Sequence, residues 1–223
     1  EDDFWGGIFN ILHCGGRGIY QQSISKELMG TLLAEVPSFA VEEAIGRLYE
    51  NIIGRSEAFI SLIFPKIKEL FPEQFENVTA HDFYLAVNKA EPSLIRTEAD
   101  ELTYSMHIMV RYEIEKRLMD GSLSTKDLPN EWNRLYKEYL GIDVPCDSMG
   151  CLQDSHWSGG ALGYFPSYSL GSAYGAQFLH KMKQDIDIDK LVSENRIDDV
   201  TAWLTEKIHK YGMLLTPAQL IEN

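Results

Sequence analysis

Apolar residues recur at spacings of three and four along almost the whole chain, and no stretch alternates apolar with polar as a half-buried strand must. That pattern points to an all-α fold. Phe4, Ile8, Ile11, Leu12, Ile19 and Tyr20 form one stripe over residues 4–22, weakened by the glycines among them. Ser38 precedes a second helix over 39–54, with Val41, Ile45, Leu48 and Ile52 on one face. Ser56 is placed to cap a third apolar stretch, which Pro65 is expected to end or kink. Thr79 with Asp82 three residues on has the form of a capping box for a short helix that exits at Glu91-Pro92.

The longest predicted helix covers 97–119 and stops at Asp120-Gly121. Another opens at Pro129 or Asn130, runs through Tyr139 and closes at Gly141. A helix over 166–184 follows, then two or three short ones beginning near Asp187, Asp198 and Thr216. Residues 141–160 are rich in Gly, Asp, Ser and Cys without either period, and a loop of that length in a compact domain is usually functional or mobile. With no linker and no internal repeat, residues 1–223 read as a single domain.

Charge and composition narrow the function. Twenty basic residues stand against 34 acidic ones, a formal net charge of −14, which argues against a nucleic-acid partner. No apolar run approaches the roughly 18 residues of a membrane span. Glu1-Asp2-Asp3 is the reverse of the basic start of a signal peptide. The cysteines, Cys14, Cys146 and Cys151, are odd in number and scattered, so a disulfide framework is not expected and a cytoplasmic protein is. The chain opens inside an amphipathic pattern, as though a longer one began before it.

The first chemical candidate is His13-Cys14-Gly15-Gly16-Arg17. In zinc peptidases two histidines at i and i+4 share a helix face and meet one metal, while a glutamate after the first activates water. Here the first histidine is His13, the glutamate position is Cys14 and the second histidine position is Arg17. Alone, such a histidine reads more readily as a packing or surface residue. Glu43 then falls on the next predicted helix, where that architecture takes its third ligand.

Three segments extend the case. Residues 42–56 (EEAIGRLYENIIGRS) resemble the segment carrying the glutamate ligand in the carboxypeptidase Taq family of zinc metallocarboxypeptidases. Ile95-Arg96-Thr97-Glu98-Ala99-Asp100 fits that family's IRxxAD signature. Gly150-Cys151-Leu152-Gln153-Asp154-Ser155-His156-Trp157 fits its GxxQDxHW signature, followed by Gly163-Tyr164-Phe165-Pro166-Ser167-Tyr168. The resemblance covers essentially the whole chain.

The resemblance implies a helical, gluzincin-like half-domain equivalent to the C-terminal catalytic half of a family member, whose upstream DxRxT signature would lie before residue 1. It implies His13 and Glu43 as remnants of a metal site, with Glu42 where a histidine usually precedes the third ligand. Arg96 would act in the substrate groove on a peptide carboxylate; the residues alone equally allow an ion pair with Asp100 one turn on. His156 with Tyr164 or Tyr168 would stabilise an oxyanion, the bland reading being a loop histidine among packed tyrosines. His107, Arg111 and Glu115, at four-residue spacing, read as a structural polar face.

Zinc serves the family, but two protein ligands are too few for a catalytic zinc, so no cofactor is expected at this degenerate site. Arg17 is expected to take the metal's place and pair bidentately with Glu43. The expected function is therefore a catalytically impaired or inactive metallocarboxypeptidase homologue or fragment. The alternative is an active metal-dependent carboxypeptidase, either with a non-standard site of His13, Cys14 and Glu43 or completed by a second chain. Expected partners are peptide C-termini and either a second copy or an N-terminal half.

Overall fold

Among the described residues, ten α-helices, four short 3-10 segments and one π-helical segment carry the chain, and no strand occurs. The structure, a computed structural model, describes residues 4–222; the acidic opening Glu1-Asp2-Asp3 lies outside them. Contacts group the chain into two compact units. One takes the residues up to Asn88 and from Leu170 on, the other Lys89–Ser169. No helix among the described residues is long and apolar enough to cross a membrane.

In the first unit lie α1 (Phe4–Ser23), α2 (Phe39–Arg47), α3 (Glu57–Leu70), α4 (Ala80–Val87), most of α7 (Pro166–Asp185), α8 (Ile188–Ser193), α9 (Ile197–Lys207) and α10 (Pro217–Glu222). The caps form as their residue types predict. Ser38 accepts from the Val41 amide, Ser56 from the Phe59 amide, and Thr79 with Asp82 makes a complete capping box. The main core gathers Tyr20, Val41, Ile45, Leu48, Met182 and Leu204, all fully buried.

Two departures have physical causes. Pro65 neither ends nor divides α3, which runs on to Leu70. A helix-interior proline costs about 3 kcal/mol, but Ile60, Phe64 and Ile67 on either side of it are buried beside Phe83. At roughly 1.5–3 kcal/mol per large apolar side chain, that packing outweighs the lost hydrogen bond. The predicted helix over 39–54 also changes character at Leu48, becoming a π-helix through Ile53.

The second unit is built on α5 (Tyr104–Met119) and α6 (Leu128–Leu140), which bury Val110, Ile114, Trp132, Leu135 and Tyr136 between them. Gly141 closes α6 in the left-handed conformation, φ 73°. The helix expected over 97–119 is shorter, because its first residues form a 3-10 turn, Arg96–Glu98, and then a loop. Asp100 causes the break. Its carboxylate accepts the amides of Glu91, Leu102 and Thr103 and the Thr103 hydroxyl, so the local side chain outcompetes the helix for those donors.

Candidate functional site

Each unit holds one cluster of the sequence-predicted residues. In the first, α1 presents His13 and Arg17 one turn apart, α2 presents Glu42 and Glu43, and the π-helical segment presents Glu50. His13 Nε2 lies 3.4 Å from Glu43 Oε2, and His13 Nδ1 lies 2.9 Å from Glu50 Oε2. Arg17 divides its fork: Nη2 reaches Glu42 Oε2 at 2.9 Å and Nη1 reaches Glu43 Oε1 at 3.4 Å. It therefore bridges two carboxylates, in place of the expected bidentate pair with Glu43 alone. Arg47 Nη1 stands 3.7 Å from Glu50 Oε2.

Close backbone approach sets this geometry. A Cβ on Gly46 would come within 2.8 Å of the His13 ring, and one on Gly171 of α7 within 2.7 Å of the Glu43 Cβ. Glu43 is 1% exposed. Burial opposes a charge on His13, but its contacts with Glu43 and Glu50 prevail and raise its pKa to about 9. Burial likewise works against ionised Glu50, and the His13 hydrogen bond with the Arg47 field prevails, holding its carboxyl below the usual range. Three carboxylates thus alternate with three cations.

As metal donors these residues divide sharply. His13 and Glu43 are ordinary ligand types, but both imidazole nitrogens of His13 face carboxylates. Arg17 has no lone pair to give. Cys14 is exposed, with Sγ 3.8 Å from Asn10 Oδ1, one turn back along α1.

In the second unit Arg96 is buried. Its Nε and Nη2 donate to Asp154 Oδ1 at 3.0 and 2.7 Å, its Nη1 to the Tyr104 hydroxyl at 2.8 Å, and its guanidinium lies 4.7 Å from the Tyr168 ring centre. Asp154, not Asp100, is its partner. Arg111 grips the other oxygen of Asp154 through Nε at 2.7 Å and donates to Gln153 Oε1 at 3.0 Å. Burial disfavours the Asp154 charge, but the two guanidiniums win and depress its pKa. His107, Arg111 and Glu115 are all buried, so the stripe that reads as a polar face is turned inward. Burial first, then the fields of Arg111 and Arg96, lowers the His107 pKa to about 4.

His156, Tyr164 and Tyr168 come together. His156 Nε2 is 3.0 Å from the Tyr168 hydroxyl, and its ring lies 5.5 Å from Tyr164 and 4.4 Å from Phe165 between centres. Burial and then the Arg96 field push its pKa down, favouring the neutral imidazole.

Periodicity and motif do not reveal Glu50 as a partner of His13, nor the contacts that Arg111 and Glu115 make with residues 153–163. Glu50 is detectable in principle, since it lies two turns beyond Glu43 on the same predicted helix.

The chain is thus all-α among its described residues, with His13 and Arg17 one turn apart on α1 and a Gln-Asp-x-His-Trp loop beside a buried arginine pair. The chain belongs to the carboxypeptidase Taq (M32) metallopeptidase family, whose profile matches residues 1–223. It is 44% identical to carboxypeptidase 1 of Bacillus subtilis (strain 168), aligned over all of this chain and 45% of that protein. It is 40% identical to thermostable carboxypeptidase 1 of Thermus thermophilus, over all of this chain and 44% of that one. The crystal structure of BsuCP superposes with a TM-score of 0.94 at 44% identity, covering 96% of this chain and 44% of that chain. The chain spans less than half the length of the relatives it matches.

Proposed function

We propose that this chain is a metallocarboxypeptidase homologue in which an internal ion-pair cluster replaces the hydrolytic metal centre, leaving peptide binding without zinc-dependent turnover. The observation that carries this reading is Arg17 standing between Glu42 and Glu43 at the position of the second histidine. The donor set does not fit a resident zinc. A catalytic zinc needs three protein ligands, whereas here a permanent cation occupies one position and Cys14 is turned toward Asn10. Without a glutamate at position 14, nothing at that place would activate a water.

What remains is a peptide-recognition unit. His156 and Tyr168 are preorganised polar groups suited to an extended peptide, whereas the Arg96 guanidinium, buried and engaged by Asp154 and Tyr104, supports their loop from beneath. The second reading, an active carboxypeptidase with a non-standard site or completed by another chain, draws on the two intact signatures around Arg96 and His156 and on the 44% identity to carboxypeptidase 1.

A restoration series separates the two. Under the proposal the unmodified protein hydrolyses no peptide in the presence of zinc. Arg17→His recovers metal binding with little turnover, and only Arg17→His combined with Cys14→Glu can add hydrolysis. Zinc-stimulated release of C-terminal residues by the unmodified chain contradicts it.

A further inference from the structure

We infer that Arg111 and Glu115 of α5 are positioning residues: they clamp the loop around His156 from both sides and so hold that imidazole against Tyr168. This deepens the proposed function, because it rests on reading His156 and Tyr168 as ligand-facing groups.

The segment from Gly150 to Phe165 contains turns but no regular helix, so its shape must come from outside contacts. Two successive polar residues on one face of α5 supply them. Arg111 fastens the entry to the loop, with bonds to Asp154 Oδ2 at 2.7 Å and Gln153 Oε1 at 3.0 Å. Its third nitrogen is fixed on the His107 carbonyl at 2.7 Å and its plane lies over Trp132, so the fork has one orientation.

Glu115 fastens the far side. Its Oε1 accepts the Trp157 indole N–H at 2.8 Å and its Oε2 accepts the Gly163 amide at 3.2 Å. Gly163 is left-handed, φ 77°, a conformation glycine adopts without strain. His156 lies between the two fastenings, after Asp154 and before Trp157.

The residue types suit this task. Both side chains are buried, at 0% and 5% exposure. Buried charges are costly, and apolar residues of similar volume would fill the space as well. A carboxylate that accepts from both a loop side chain and a loop amide fixes the loop's height and rotation together. The spacing of four brings both residues to the same face of α5.

The test compares Glu115→Gln and Trp157→Phe with the unmodified protein. Glu115→Gln keeps the packing and loses one acceptor, whereas Trp157→Phe loses the indole donor together with part of the ring that packs on Trp132 and Phe165. Amide hydrogen exchange over 157–163 is read beside the His156 imidazole nitrogen resonances, the thermal midpoint and the affinity for N-acetyl-trialanine. Exchange at these amides should quicken roughly ten- to hundredfold, as expected for losing one charge-assisted hydrogen bond, and the His156 resonances should shift. Amides in α6 should keep their protection, which a general loss of stability would not allow.

Unchanged loop exchange and an unmoved His156 spectrum in a folded variant overturn the inference. If Glu115→Gln does not fold, Trp157→Phe decides alone by the same readings. A loosened loop with weaker peptide binding supports both the clamp and the peptide reading. A loosened loop with no change in peptide affinity, or no binding in either protein, supports the clamp and contradicts the peptide reading.

Discussion

Glu50 Oε2 lies 2.9 Å from Nδ1 of His13, although 37 residues separate them in the chain. The same oxygen is 3.7 Å from Arg47 Nη1, so Glu50 links a histidine on α1 to an arginine at the end of α2. From Glu42 through Arg17, Glu43, His13 and Glu50 to Arg47, opposite charges alternate without a gap. This alternation is how Glu43 can remain almost wholly buried beside other carboxylates. The cluster neutralises itself with covalently attached cations.

Arg17→Ala should therefore destabilise the protein. Breaking a fully buried pair costs roughly 3–5 kcal/mol. Arg17 is one-third exposed, and water screens that share of the interaction, so about 2 kcal/mol is the expected loss. Urea unfolding measures it. A variant as stable as the unmodified chain would mean that solvent compensates Glu42 and Glu43 unaided.

Gly46 makes a test by coupling. An alanine there should cost about 1–3 kcal/mol, because its Cβ would meet the His13 ring at 2.8–3.0 Å. In a His13→Ala background the ring is gone and most of that penalty should vanish. Additive penalties in the double-mutant cycle would show that Gly46 is required for something other than His13.

Much of this fold is legible in the amino-acid sequence, and the boundary of what is legible is physical. Caps at Ser38, Ser56 and Thr79 and the stop at Gly141 are local, decided by residues within one turn, and they form as their residue types predict. Pro65 and Asp100 go the other way because distant packing in one case and a fan of side-chain bonds in the other outweigh propensity. At the candidate sites, residue types and order are legible, but pairing is not. Arg96 has a plausible partner four residues away and takes one 58 residues away. Nothing in periodicity reveals that Glu115 faces Trp157, since that contact depends on how an irregular loop returns to α5.

Acid should weaken the fold through His209. It is fully buried, stacked on Tyr20 at 4.6 Å between ring centres, and burial lowers its pKa to about 3. Its folded pKa lies below the unfolded value of about 6.5, so the unfolded chain takes up the proton first. The stability of the neutral form is complete above about pH 6.5 and is lost as pH falls toward 3, by up to about 1.4 kcal/mol per pH unit. His209→Phe keeps the stack and removes the titration. Its stability relative to the unmodified protein should rise steadily from pH 6.5 to 4; parallel pH curves would contradict the buried, neutral assignment.

On the proposed function, Arg17 and its carboxylates have taken over the place of a metal. Zinc stoichiometry of the unmodified protein, purified from zinc-replete cells without chelators and read by elemental analysis against protein mass, tests it most directly. Far less than one zinc per chain is expected, with no increase on dialysis against micromolar zinc. One tightly held zinc per chain would contradict it, and would make Cys14 the first residue to reconsider as a ligand.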